Sequence, residues 1–222
     1  MVRELQLKCG TLFVCRIEQG RIILEKIWEE PDQGGGKVIL SESDQRYELN
    51  CFGRFSLMRD ARPARVEKEK ARELLAFLAC ERGRPSSKRR AAEALWPGRT
   101  EAQAVDSLYK VCRYLQECRQ RGEAPAVRAA RGQLWLDMAQ INCDLERFYA
   151  LSGPAASLEE LRQAAELYRG PLLVEEGYEW SEDWEGFYDL RYLDVLARLH
   201  AALQQLGRER EALRYARLLG QD

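Results

Sequence analysis

The sequence predicts an α+β fold that is mostly helical, with a small mixed domain followed by a helical one. Three helical patterns and a short pair of strands follow one another over residues 67–138. Residues 140–222 carry only the three- and four-residue spacing of helices. Charge divides the chain at the same place, because residues 59–137 hold 18 Lys and Arg against 11 Asp and Glu, whereas residues 138–222 hold 9 against 16. Two domains with different partners are therefore expected.

The composition is that of a globular protein without a membrane span, a metal site or a catalytic centre. Apolar runs are far shorter than the ~20 residues that cross a bilayer, and charged residues occupy the N-terminus, so a cytoplasmic location is expected. Seven cysteines include no Cys-x-x-Cys pair and are accompanied by one histidine, His200, which argues against zinc. No nucleophile is paired with a base and no phosphate-binding loop is present, so neither an enzyme nor a cofactor is expected.

Residues 1–36 are predicted to form a β-hairpin and a Gly-rich linker. Apolar and β-branched residues fill 12–17 and 22–27, with Gly20 between them. Three consecutive glycines at 34–36 favour a flexible connection. The first domain boundary is therefore set after residue 36.

The second predicted domain, residues 37–139, begins with strand and turn signals. Alternating residues predict one strand over 47–57, and polar residues predict a turn over 58–63. A helix over 67–82 follows, because its apolar residues recur at three- and four-residue steps.

Two further helices and a hairpin complete this domain. Ser86 or Ser87 is expected to cap the second helix, and the Pro-Gly pair after Trp96 ends it. A capping box that starts at Thr100 opens the long third helix. Strands over 127–136 then form a hairpin. This order is typical of a winged helix-turn-helix domain, whose long helix enters the major groove of DNA.

The outward face of the third helix carries residue types that contact double-stranded DNA. Its apolar stripe turns inward, which leaves Lys and Arg side chains for phosphates or guanine edges and Gln103 for adenine. Basic residues also open the second helix and are expected at the tip of the hairpin, where they would meet phosphate. The predicted DNA-binding residues are Lys88, Arg89, Arg90, Gln103, Ser107, Lys110, Arg113, Tyr114, Arg128 and Arg131.

A second interpretation of the same residues stays open. Asp106 and Glu117 lie on the same outward face and would repel phosphate, and any solvated helix shows charges there. The chain would then be a protein-interaction module whose winged helix does not bind DNA. The salt dependence of binding separates the two, because affinity for phosphates falls steeply with added salt.

Residues 140–222 are predicted to form helices only. Ser157 and Glu160 make a capping box, and a long helix with an apolar stripe ends near Gly207, before one more helix. Grooves between stacked helices, beside the acidic stretch 175–185, suit a basic protein partner. The plainer alternative is that the aromatic residues of this stretch belong to the core and its acids to a solvated rim.

Several short segments carry a family resemblance. In the winged-helix region these are Cys-Phe-Gly-Arg-Phe at 51–55, Lys-Ala-Arg-Glu-Leu-Leu-Ala-Phe-Leu at 70–78, Glu-Ala-Leu-Trp-Pro at 93–97, and Arg-Gly-x-Leu-Trp-Leu-Asp at 131–137. Downstream, they are Asp-Leu-Glu-Arg-Phe at 144–148, Ala-Glu-Leu-Tyr-Arg-Gly-Pro-Leu-Leu at 165–173, and Leu-Gly-Arg-x-x-x-Ala-Leu at 206–213. Together they resemble the SARP-type bacterial transcriptional regulators.

The resemblance implies an OmpR-like winged helix followed by a bacterial transcriptional activator domain, which is helical and tetratricopeptide-like. It further implies that the helical domain mediates homodimerisation or contact with the transcription machinery, RNA polymerase included. Gln116 stands where the family usually has an arginine, so one phosphate contact is not expected here. The activator domain also normally continues for several more helices, so that of this chain is expected to be a shortened one.

Overall fold

The computed structural model describes residues 12–18, 21–28 and 47–220 of the chain. The chain divides into two compact units, Met1–Leu40 and Ser41–Asp222. All described helices belong to the second unit. No helix in the described ranges is both long enough and apolar enough to span a bilayer.

The first unit contains the predicted β-hairpin. Strands β1 (Leu12–Glu18) and β2 (Arg21–Trp28) pair antiparallel, with Cys15 opposite Leu24. The predicted Gly-rich linker falls outside the described residues.

A four-stranded sheet opens the second unit. It is built from β3 (Tyr47–Asn50), β4 (Ser56–Arg59), β5 (Arg62–Pro63) and a strand from much later in the chain, β9 (Ile141–Cys143). The strand order is β5-β4-β3-β9, and only β3 and β9 run parallel. Residues from both predicted domains therefore share one sheet.

The prediction of a single strand over 47–57 is wrong, because the chain reverses within that range. Gly53 has φ +77°, a left-handed conformation that residues with a Cβ rarely adopt. β3 and β4 consequently form an antiparallel hairpin in which Leu49 is opposite Leu57. The next turn is formed by Asp60 and Ala61, inside the range predicted for it.

Three helices follow, as predicted. They are α1 (Glu69–Cys80), α2 (Lys88–Leu95) and α3 (Glu101–Gln120). The hydroxyl of Ser87 caps α2 by accepting a 3.1 Å hydrogen bond from the Arg90 N–H. Thr100 and Gln103 form the predicted capping box of α3.

A three-stranded sheet stands beside these helices. It combines β6 (Ser86–Ser87), β7 (Val127–Ala130) and β8 (Gln133–Leu136) in the order β6-β8-β7. β7 and β8 form the predicted hairpin, called the wing below. β6 lies directly before α2, so the start of α2 is tied to the wing.

The rest of the unit is helical, with α4 (Asp144–Leu151), α5 (Leu158–Leu167), α6 (Glu182–Gln205) and α7 (Glu209–Leu218). Ser157 and Glu160 form the predicted capping box of α5. Leu206, directly after the end of α6, is 61% exposed.

One continuous core joins the two predicted domains. The ring of Phe52, from the loop after β3, packs at 5.1 Å on Phe148 of α4 and at 5.4 Å on Tyr188 of α6. Phe77 of α1 likewise contacts Trp180, whose indole N–H donates to Glu73 at 3.1 Å. The aromatic residues before α6 thus belong to the core. Residues 41–222 form one compact unit, so the domain boundary between residues 139 and 140 stays a prediction.

Candidate nucleic-acid interface

The outward face of α3 is charged and exposed. Lys110 and Arg113 point to solvent, and each pairs with an acid of the same helix: Lys110 with Asp106 at 2.7 Å and Arg113 with Glu117 at 3.4 Å. The opposite face packs into the core through Ala104, Leu108, Val111, Leu115 and Cys118. The helix therefore presents basic and acidic residues side by side.

Two other predicted contacts lie in the first turns of α3, and both make bonds within the protein. Gln103 accepts a hydrogen bond from the Thr100 N–H through its side-chain oxygen, at 3.3 Å. The hydroxyl of Ser107 donates to the Gln103 carbonyl and accepts from Arg99, both at 2.9 Å. Arg99, which the sequence did not single out, therefore lies over the start of this face.

Tyr114 does not lie on the outward face, contrary to the sequence-based expectation. Its hydroxyl accepts a 3.1 Å hydrogen bond from the Glu67 N–H, and the Lys68 ammonium lies 4.3 Å from its ring centroid. The side chain is half-buried against the segment before α1. Helical periodicity places Tyr114 beside the buried stripe, and the aromatic ring packs there because it gains apolar contact.

The start of α2 lies close to the wing. The Lys88 N–H donates to the Gly132 carbonyl at 2.9 Å, and the Lys88 ammonium is 3.3 Å from the Tyr109 hydroxyl of α3. Lys88 thus sits where α2, α3 and the wing meet. Arg89 remains at the surface and pairs with Glu93 at 2.8 Å.

Arg90 is exposed, and its guanidinium turns toward α1 and the residue that follows it. Its guanidinium lies 2.8 Å from a carboxylate oxygen of Glu81, whose side chain is only 7% exposed, and 5.9 Å from the ring centroid of Phe77. Arg90 is thus a surface cation that already pairs with a buried carboxylate.

The wing turns at Arg131 and Gly132. Both have positive φ, +47° and +78°, as in the tight turns that join two strands. Arg131 is exposed and makes no hydrogen bond or ion pair with any residue in the described ranges. Arg128 was expected at the tip but lies within β7, opposite Trp135, and its guanidinium donates to Asp137 at 2.8 and 3.0 Å.

A groove runs between α3 and the wing, and it contains residues that sequence reasoning missed. Arg113, Arg119 and Arg128 line it together with Gln116 and Tyr109. Arg119 is exposed and, like Arg131, has no polar partner among the described residues. The sequence could have indicated Arg119 as a contact. Residues 109, 113, 116 and 119 are three or four positions apart, so they lie on one face of α3, which extends beyond the contacts predicted there.

Cys112 lines the same groove and is a neutral thiol at physiological pH. Burial raises its pKa above the usual value, which outweighs the opposing effect of the Lys88 charge. The groove therefore holds no reactive thiolate. Within residues 12–18, 21–28 and 47–220, no group of three His, Cys, Asp or Glu residues could hold a metal ion.

Comparison with known proteins supports the fold. No protein-family description and no curated protein matches the chain. Among solved structures, Mycobacterium tuberculosis EmbR in complex with a low-affinity phosphopeptide is similar, with a TM-score of 0.62 and 22% sequence identity. The similarity covers 74% of this chain and 47% of that one, so the chain spans about half the length of EmbR. The fold of this chain is therefore similar to that of EmbR over the matched residues.

Proposed function

We propose that this chain is a sequence-specific transcriptional regulator that binds double-stranded DNA through α3 and the wing. In this proposal α3 lies in the major groove, and the wing contacts the adjacent backbone or minor groove, as in winged helix-turn-helix proteins. The fold shared with EmbR supports a regulator rather than an enzyme.

The groove between α3 and the wing is the observation that carries the proposal. Three arginines, Arg113, Arg119 and Arg128, line it, and Arg131 stands free at the end of the wing. Arginine binds phosphate through a planar fork of N–H donors and reads guanine in the same way. A concave cationic surface between a helix and a hairpin fits the ridge of a DNA backbone.

The ion pairs on α3 do not prevent such binding. Lys110, Asp106, Arg113 and Glu117 all have side chains at least 50% exposed. Exposed pairs contribute only about 0–1 kcal/mol, so phosphate can replace the acid as partner at little cost. Asp106 and Glu117 would repel phosphate and so weaken non-specific binding. Contacts with base edges would then contribute a larger part of the binding free energy.

For the helical part, α4 to α7, we propose contact with the transcription machinery, RNA polymerase included. Support comes from the sequence resemblance and from the excess of acidic residues over residues 138–222, which suits a basic protein surface. Glu179, Glu182 and Asp183 are exposed and form no ion pair with the other described residues.

Binding of short duplexes to the purified full chain tests the proposal. Fluorescence anisotropy would be measured with labelled duplexes tiled across the promoter region of its own gene, with an unrelated duplex of equal length as competitor. One tile should bind at least a hundredfold more tightly than the unrelated duplex. Equal and weak binding to all duplexes would contradict a sequence-specific regulator.

One observation favours the second candidate, a protein-interaction module. Lys110, Arg113 and Arg128 each pair with an acid nearby in the sequence, as on a surface that is neutral overall. If no duplex binds, the second candidate gains support, and co-purification of a protein partner becomes the next measurement.

A further inference from the structure

A polar pocket of about 100 Å³ lies between the four-stranded sheet and helices α4 and α5. One face of the sheet forms its floor. Glu48 of β3 is in register with Asn142 of β9, so the two side chains are neighbours on that face, and Asn50 lies on it two residues further along β3. Leu49 and Ile141 point the opposite way, into the core.

Two helix ends supply the walls of this pocket. Arg147 lies near the start of α4, Glu166 lies near the end of α5, and Arg169 follows α5 by two residues. The guanidinium of Arg169 is already held by the buried carboxylate of Asp144, at 3.3 Å. Elements from both predicted domains therefore surround the pocket.

Three charged residues of the pocket form no ion pair. Glu48, Arg147 and Glu166 are exposed, and none of them has an ion-pair partner among the described residues. Glu48 accepts a hydrogen bond from the Asn50 amide and Arg147 donates one to the Asn142 amide oxygen, both at 3.5 Å, which is long for a hydrogen bond. Two acids and a cation thus face one small pocket without neutralising one another.

The size and the charges of the pocket limit what it can bind. Its volume is far below the roughly 300–1,000 Å³ of sites for drug-sized ligands, so the ligand is small. A simple anion would be repelled by Glu48 and Glu166, and a simple cation would be repelled by Arg147. A molecule that carries both charges satisfies all three residues. Its carboxylate would suit the planar fork of an arginine, and its ammonium group would suit carboxylate oxygens.

We propose that this pocket binds a small zwitterion, a free α-amino acid, whose carboxylate contacts Arg147 and whose ammonium group contacts Glu48 and Glu166. The Asn50 amide is fixed by a 3.1 Å hydrogen bond to the Ser56 hydroxyl, which leaves the Asn50 side-chain oxygen to accept from the ammonium group. A bound amino acid connects β3 with α4 and α5, so it stabilises the folded chain.

Thermal melting of the purified full chain with each of the standard amino acids in turn, at millimolar concentration, tests the proposal. At a concentration about fivefold above the dissociation constant, the amino acid that fits should raise the melting temperature by about 2–4 °C. Its deaminated acid and its decarboxylated amine, which for alanine are propionate and ethylamine, each lack one charge. Isothermal titration calorimetry should show that both bind about tenfold more weakly or worse.

Two variants assign the ligand to this pocket. Arg147→Ala and Glu166→Gln should each raise the dissociation constant of the amino acid by about tenfold or more. Both residues are exposed, so the melting temperature without ligand should match that of the parent. Arg217→Ala and Glu209→Gln, at exposed residues of α7, are the matched controls and should bind like the parent.

Three results would overturn the proposal. The first is a melting temperature that no amino acid changes. The second is equally tight binding of the acid or the amine alone, which would indicate a site for a simple ion. The third is an unchanged dissociation constant in both pocket variants, which would place the ligand elsewhere. None of these measurements includes DNA, so the proposed function is tested separately.

Discussion

The Oδ2 atom of Asp144 accepts a 2.9 Å hydrogen bond from the backbone N–H of Phe52, 92 residues earlier in the chain. The same carboxylate accepts from the Cys51 N–H at 2.8 and 3.0 Å and lies 3.3 Å from Arg169. Asp144 is the first residue of α4, whereas the two N–H groups belong to the loop that follows β3. This carboxylate therefore connects the predicted winged-helix and helical domains into one unit.

Loss of this carboxylate should destabilise the whole unit. In Asp144→Ala, the buried N–H groups of Cys51 and Phe52 lose their acceptor, and each such group costs about 1–3 kcal/mol. We expect the free energy of unfolding to fall by about 2–5 kcal/mol, measured by urea denaturation. Arg169→Ala removes the half-exposed cation but leaves the buried carboxylate its N–H donors from Cys51 and Phe52, so it should cost less than Asp144→Ala. Equal losses in the two variants would show that the N–H groups do not depend on Asp144.

Periodicity and capping residues predicted most of the elements. The capping boxes at Thr100 and Ser157 lie where the sequence put them, because such caps depend on residues three apart. The reversal at Gly53 was missed, since the alternation over 47–57 does not change where the chain turns. The parallel pairing of β3 with β9 could not be predicted either, because it joins segments more than ninety residues apart.

Two predicted site residues make long-range contacts that the sequence did not predict. Tyr114 packs against Glu67 and Lys68, and Arg90 pairs with Glu81 of the segment after α1. Neither partner is within helical spacing, so local sequence patterns could predict neither contact. Arg131 is exposed at a turn, as predicted, because the Arg-Gly pair determines that turn locally.

Arg90 and Arg89 should differ in their effects on stability. Arg90→Ala leaves the buried carboxylate of Glu81 without its cation, so we expect a loss of about 1–3 kcal/mol in the free energy of unfolding. Arg89→Ala removes only an exposed pair with Glu93 and should cost between about 0 and 1 kcal/mol. Thermal and urea unfolding of both variants would measure this difference. An Arg90→Ala protein as stable as the parent would show that the pair with Glu81 does not stabilise the fold.

Neutralising an acid on the outward face of α3 should strengthen DNA binding. Asp106→Asn removes a negative charge near phosphate and releases Lys110 from its 2.7 Å ion pair. Because one charge pair in water is worth about 1 kcal/mol at contact, we expect affinity for the promoter duplex to rise about fivefold. Glu175→Gln, which removes an exposed acid paired with Arg54, is the matched control and should leave affinity unchanged. A weaker complex with Asp106→Asn would place this carboxylate in a base contact instead.

Lys110 and Arg113 separate base contacts from backbone contacts. Lys110→Ala and Arg113→Ala should each weaken binding by about 1–3 kcal/mol on the preferred duplex if they read base edges. A loss of similar size on every duplex would assign them to phosphate. Unchanged affinity in both variants, with intact circular dichroism spectra, would remove α3 from the major groove.

The most direct measurement of the central claim, that α3 and the wing bind DNA, is the salt dependence of duplex binding by the parent chain and by Arg131→Ala. Arg131 is exposed at the wing turn and unpaired among the described residues, so its loss should leave the melting temperature unchanged. For the parent, the logarithm of the binding constant should fall by ~0.9 per contacted phosphate for each tenfold rise in salt. Arg131→Ala should bind more weakly, with a slope shallower by about one phosphate, whereas Arg217→Ala on α7 should match the parent. A parent whose binding is insensitive to salt, or an Arg131→Ala variant with the parent's slope and affinity, would contradict the account.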